Sequence, residues 1–167
     1  RGRAEDVGYA PTHRLYLPMS GVITNSEREV IGALAVTELL RGGVTTILEM
    51  EEDAELFAPF IESSGIRAFI GVMVNDVNLD ALASGQTVFD DTIRTQQLSQ
   101  AVGLAERWHG RSDGRIQAVM AANGLSMSSP ALLKGLRAAA DDLGLRLSIR
   151  LGFGERELVE SVHHCAQ

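Results

Sequence analysis

Cysteine, positive charge and long apolar runs are all scarce in this chain, and each shortage removes a class of function. The single cysteine, Cys165, cannot close an internal disulfide and by itself cannot hold a zinc ion. The longest apolar stretches, such as residues 31–36, fall far short of the roughly 20 residues a membrane helix requires. No charged-then-apolar leader opens the sequence, so a cytoplasmic location is expected. Fifteen Lys plus Arg against 22 Asp plus Glu leave a net charge of -7. That balance disfavours a nucleic-acid surface, because phosphate contacts need clustered Lys and Arg. Also missing is any Gly-x-Gly-x-x-Gly fingerprint or phosphate loop, which argues against a nucleotide-binding sheet. What remains is a chain of 167 residues, long enough for one domain with a real core. It opens on Arg1 and stops three residues after a histidine pair, and so reads as a piece of something larger.

Residues 1–21 show no sustained period and read as an irregular opening segment, with His13 a surface residue. From Ser26 the pattern sharpens. Ser26 and Glu29 have capping-box spacing, and Val30, Ile31, Leu34, Ala35, Leu39 and Leu40 follow at helical intervals up to Gly42 and Gly43. Residues 44–50 are short and β-branched and predict a buried strand. Glu51, Glu52 and Asp53 suit the positive end of the next helix, whereas Glu49 still belongs to the strand and is open to a chemical role. The helix predicted over 53–64 carries Leu56, Phe57, Phe60 and Ile61 on one face, with Pro59 expected to delay or kink it. A strand over 66–74 leads into a turn-rich loop reaching about Thr87, a length that usually signals a task such as covering a site.

The next helix, 90–108, ends with Trp108 as a core residue and His109 as a C-terminal cap. A strand over 115–122 and a loop over 124–128 follow. Ser129 and Pro130 supply a capping residue followed by proline at the first helical position, opening a helix that Gly144 stops. Residues 145–155 then alternate Leu145, Leu147, Ile149 and Leu151 with Arg146, Ser148 and Arg150, the period of a strand whose faces have different surroundings. A last helix is predicted over 155–162. His163 and His164 beyond it are adjacent and diverge by about 100° on a helix, so they cannot readily share a metal, and Cys165 has no positioned base. Strict alternation with short links predicts an α/β architecture of parallel strands joined by right-handed helical crossovers. Two forms compete, an open doubly wound sheet and part of a TIM-type (β/α)8 barrel.

Three segments resemble the amidohydrolase superfamily, in its branch of chlorohydrolases and hydrolytic deaminases acting on nitrogen heterocycles. They are Arg1-Gly2-Arg3-Ala4-Glu5-Asp6, Thr37-Glu38-Leu39-Leu40-Arg41-Gly42-Gly43-Val44-Thr45-Thr46, and residues 115–160 with Ser129-Pro130-Ala131-Leu132-Leu133 and Leu143-Gly144-Leu145-Arg146-Leu147. The resemblance implies one partial barrel domain over 1–167, holding the second to fifth barrel strands. It also implies a hydrolase of C–N or C–Cl bonds in a nitrogen-containing small molecule, with zinc or iron as the usual family metal. Relatives hold that metal with a His-x-His pair on the first strand, histidines on the fifth and often the sixth, and an aspartate on the eighth. The family's fifth strand commonly reads His-x-His-Leu-Ala-Glu, and here the matching positions are Ser148, Ile149, Arg150, Leu151, Gly152 and Phe153. A guanidinium cannot ligate a divalent metal and a phenyl ring cannot carry a proton, so no metal ligand is expected in this chain. Asn123 matches the histidine that often ends the family's fourth strand.

Barrel enzymes build their sites at the C-terminal strand ends, here Glu49, Asn75, Asn123, Arg150 and Phe153. Strand alternation sends Ser148 and Arg150 into the barrel and Leu147, Ile149 and Leu151 under the helices. Glu49, Asn123, Ser148, Arg150 and Phe153 are therefore the expected substrate-binding residues, with Arg150 pairing either Glu49 or an anionic ligand group. The alternative is a metal-free divergent barrel that binds a small anionic ligand or serves a structural role. Four strands cannot close a barrel, so their open edges predict self-association or a missing remainder, with the chain alone inactive.

Overall fold

The structure is a computed structural model and describes residues 21–83 and 86–151. The first helix, α1 (Asn25–Arg41), begins two residues earlier than Ser26 and Glu29 suggest. Thr24 is the cap: it accepts the Glu27 N–H, and the Glu27 carboxylate returns a bond to the Thr24 N–H at 2.8 Å. The sequence Thr-Asn-Ser-Glu offers the same three-residue spacing as Ser26 to Glu29, and the extended backbone at Thr24 is what selects between them.

Which face of α1 is buried is decided by small residues rather than by its largest apolar ones. Val36 is buried, whereas Val30, Ile31 and Leu34 are 69%, 53% and 59% exposed. Helix α2 (Ala54–Ser64) lies so close that a Cβ on Gly32 would stand 2.4 Å from the Phe57 ring. Pro59 neither delays nor breaks α2, which runs from Asp53 to the left-handed Gly65. Strand β1 (Thr46–Glu49) precedes α2, and β2 (Arg67–Ile70) follows it.

The strand expected over 66–74 is two pieces, β2 and β3 (Met73–Val74), interrupted at Gly71 and Val72. Helix α3 (Leu79–Ala83) occupies part of the long loop, and an antiparallel bridge between Val77 and Phe89 closes it. Helix α4 (Asp91–Trp108) is capped by Asp90, whose carboxylate accepts the Thr92 and Ile93 N–H groups. Trp108 is core, and the Arg111 guanidinium of the short α5 (Arg111–Gly114) sits 4.7 Å from its ring centroid. His109 does end α4, and its Nδ1 also accepts the Ala118 N–H of β4 (Ile116–Ala122) at 3.2 Å. A 3-10 turn (Leu125–Met127) leads to α6 (Pro130–Leu143) with the expected Ser129 cap and Gly144 stop, and β5 (Arg146–Ile149) follows.

Among the described residues every strand pair is parallel. β1 pairs with β2, β2 and β3 lie end to end along one edge of β4, and β5 takes the other edge. Strands thus add in chain order without the reversal that defines a doubly wound sheet, which leaves the barrel form of the two expected. Ile47, Ala68, Ile70, Ile116, Ala118, Met120, Ala122, Leu147 and Ile149 all join the core under the helices. The opposite, concave face carries the alternate residues. Leu147 and Ile149 pack as expected, but Leu151 is 64% exposed, because β5 ends at Ile149.

Candidate active site

Register brings three of the expected positions together. Val74 pairs with Ala122, and Ala122 pairs with Ile149, so the residues that follow stand side by side where β3, β4 and β5 end. The Asn123 N–H donates to the Val74 carbonyl at 2.8 Å and the Arg150 N–H to the Ala122 carbonyl at 3.5 Å, carrying the ladder one step further. Asn75, Asn123 and Arg150 are therefore neighbours, with Asn75 buried, Asn123 half-buried and Arg150 exposed. Asn123 Oδ1 accepts the Gly124 N–H at 2.9 Å, which ties the amide to its own turn. One turn of pleat below, Ser148 pairs with Ala121. Arg146, on the same face as Ser148, reaches over β4 to place its guanidinium 5.2 Å from the Phe69 ring on β2, a contact possible only across the concave side.

Glu49 does not join this group. It pairs in register with Ile70, well below the level of Asn123, and its side chain enters the groove between α1 and α2 with Gly32, Ala35 and Phe57. The expected pairing of Glu49 with Arg150 is not made. β1 and β5 stand two strands apart, roughly 14 Å at ordinary strand spacing, and Glu49 turns toward the helices. The parity that points Ser148 into the barrel points Glu49, on the same face as Ile47, toward the helices.

Instead, Glu49 accepts the Glu51 N–H at 3.1 Å. Burial pushes its carboxyl above the ordinary carboxylate range; that hydrogen bond opposes the shift and the Glu51 charge adds to it. The folded chain thus holds this proton more tightly than the unfolded chain. Its contribution to stability is complete below the ordinary carboxylate pKa and is lost as pH rises through the raised folded value. Glu49→Gln, which keeps an acceptor for Glu51, is expected to raise Tm near neutral pH. In thermal melts the gain should shrink toward about pH 4, where wild-type Glu49 is also protonated. An equal Tm for both proteins at neutral pH would contradict this.

The most buried charge at the strand ends is one the sequence did not single out. Asp76, one residue past Asn75, is fully buried. Its carboxylate accepts the Ser129 N–H at 2.8 Å and the Ser129 hydroxyl, and lies 3.7 Å from an Arg94 nitrogen. Its N–H donates to the Met127 carbonyl and its own carbonyl accepts the Asp90 N–H. One residue thus joins the end of β3, the turn after β4 and the start of α4. Ser129 was legible as a cap, but a partner 53 residues away left no mark in local spacing.

Among the described residues no cluster of three or more His, Cys, Asp or Glu side chains could hold a metal ion. Asn123, Ser148 and Arg150 offer an amide, a hydroxyl and a cation, a set that does not fit a divalent metal. Phe153, His163, His164, Cys165 and His13, and the helix expected over 155–162, lie outside the described residues.

Parallel βα units adding in chain order, with polar residues gathered where the strands end, define a portion of a (β/α)8 barrel. Residues 7–165 match the Amidohydrolase family model, and the chain belongs to that family. It is 29% identical over 146 residues to a 5'-deoxyadenosine deaminase of Methanobrevibacter smithii, covering 87% of this chain and 31% of the relative. It is 26% identical over 160 residues to a 5-methylthioadenosine/S-adenosylhomocysteine deaminase of Desulforudis audaxviator, covering 95% and 34%. In fold it matches a zinc-bound adenosine deaminase of Xanthomonas campestris with a TM-score of 0.72 and 21% identity, over 95% of this chain and 34% of that one. A guanine deaminase of C. acetobutylicum gives 0.73 and 15%, over 93% and 37%. The chain therefore spans about a third of the length of these relatives.

Proposed function

We propose that this chain is part of a hydrolase that replaces an amino or chloro substituent on a carbon of a nitrogen-containing small molecule. Water adds to that carbon, and ammonia or chloride leaves. The chain's part is one wall of the site. Asn123 and Arg150 donate hydrogen bonds to substrate from the ends of β4 and β5, Ser148 lies just below them, and Phe153, outside the described residues, is assigned to the same substrate-binding set. Family membership over residues 7–165, together with the side-by-side register of Asn75, Asn123 and Arg150, supports this reading. In this reading the chain works with the rest of a barrel, in the cytoplasm, and is inactive alone. No helix among the described residues is long and apolar enough to cross a membrane.

A second reading has a specific observation behind it. Three positions matched to family functional residues carry Asn123, Ser148 and Arg150, which suit a small anionic ligand better than a metal-bound water. The two readings part on ammonia release from 5'-deoxyadenosine, adenosine and guanine, assayed on the chain and on the longest polypeptide its gene encodes. Release by the longer polypeptide alone is the expected result. Release by neither, with phosphate binding that Arg150→Met abolishes, would replace it with the anion-binding barrel. Zinc bound stoichiometrically by the dialysed chain would contradict the ligand assignment in both.

A further inference from the structure

We infer that Asp76 is a positioning residue for the candidate site: it sets the turn between β4 and α6, and through that turn the Asn123 side chain. The inference rests on reading the strand ends as a ligand site. Within the turn the Met127 N–H donates to the Gly124 carbonyl at 2.9 Å and the Ser128 N–H to the Leu125 carbonyl at 3.5 Å, and Asp76 adds anchors from outside it. Ser128 Oγ donates to the Asn123 carbonyl at 3.3 Å, and Met127 accepts the Asp76 N–H. Ser129 closes the turn, and its hydroxyl has one proton. That proton goes to Asp76, while the hydroxyl oxygen accepts the Leu132 N–H of α6 at 3.0 Å. The helix cap is therefore oriented by a residue just past the end of β3. Two Ser129 donors and the Arg94 cation all converge on one side chain, and a carboxylate is the group that meets them without presenting a donor of its own. An amide at this position would turn an NH2 group toward either the hydroxyl or the guanidinium. With the turn held from both ends, Asn123 keeps its Oδ1 on the Gly124 N–H and its place beside Arg150.

Residue-resolved amide exchange and the Asn123 side-chain amide signal, read by NMR on the whole chain, test this. In Asp76→Asn, amides over 124–129 should exchange about tenfold faster while those of β1 and β2 keep their rates, the pattern of local rather than global opening. The Asn123 side-chain signal should shift with them. Ser129→Ala, which leaves Asp76 beside Arg94, should open the same amides, and the double variant should open them no further than the stronger single one. Unchanged exchange over 124–129, or acceleration spread equally over the sheet, would overturn the inference. If Asp76→Asn does not fold, Ser129→Ala decides alone by the same criterion. Adenosine titration separates this from the functional reading. A wild-type Asn123 signal that ignores adenosine counts against the site and leaves the exchange result standing. Where wild type responds, Asp76→Asn should weaken binding about tenfold, and equal affinity would overturn the positioning role.

Discussion

Asp76→Ala should lower the unfolding free energy of the chain by about 3–5 kcal/mol, the usual cost of removing one partner from a buried charged network. Two Ser129 donors lose their acceptor, and Arg94 keeps its ion pair with exposed Asp91 at 2.7 Å. Ser129 is buried and cannot turn to water without disturbing the α6 cap, so its loss falls on the folded state. Against a typical total of about 5–15 kcal/mol the effect is large. Urea denaturation followed by circular dichroism measures it, with Asp91→Ala as the control. Asp91 is 88% exposed, and its removal should stay within about 0.5 kcal/mol. A loss below about 1 kcal/mol for Asp76→Ala would mean that the Asp76 network is not tight.

Gly71→Ala should cost about 3 kcal/mol, at the upper end for overpacking, because the obstacle is backbone. A Cβ at Gly71 would stand 2.4 Å from the Val119 carbonyl oxygen and 2.9 Å from Val119 Cγ1. Val119 lies in the middle of β4, held by β5 on its far side, so neither strand can move apart without breaking a ladder. Gly103 offers the contrast. A Cβ there meets Arg107 Nη1 at 3.1 Å, the tip of a half-exposed side chain paired with Glu55 that can give by a few tenths of an ångström, within helix α4, where alanine gains about 1 kcal/mol of helix propensity over glycine. The two substitutions should therefore shift the denaturation midpoint in opposite directions, and a common direction would contradict the packing at Gly71.

Elements specified by neighbouring residues were legible in advance. The α6 helix appears between the residues foreseen, because Ser129, Pro130 and Gly144 each act within a turn of where they stand. Boundaries that depend on distant partners were not. The interruption at Gly71 exists because β4 passes too close for a side chain, and Val30, Ile31 and Leu34 lie exposed because Gly32 faces Phe57. Of the candidate residues, Asn123, Ser148 and Arg150 were placed by strand parity. By the same parity Glu49 faces the helices with Ile47, and Asp76 leaves no local signal because its partners are far along the chain.

By itself the sequence determined the alternation of helix and strand, the parallel connections and the chemical character of the strand ends, since these follow from periodicity, caps and side-chain type. Tertiary structure alone decided that the strands add in chain order, that Asn75, Asn123 and Arg150 stand together while Glu49 turns away, and that Asp76 joins three segments. The reason is range. Caps and periods act over a few residues, whereas register and burial are set by contacts between segments that no local pattern encodes.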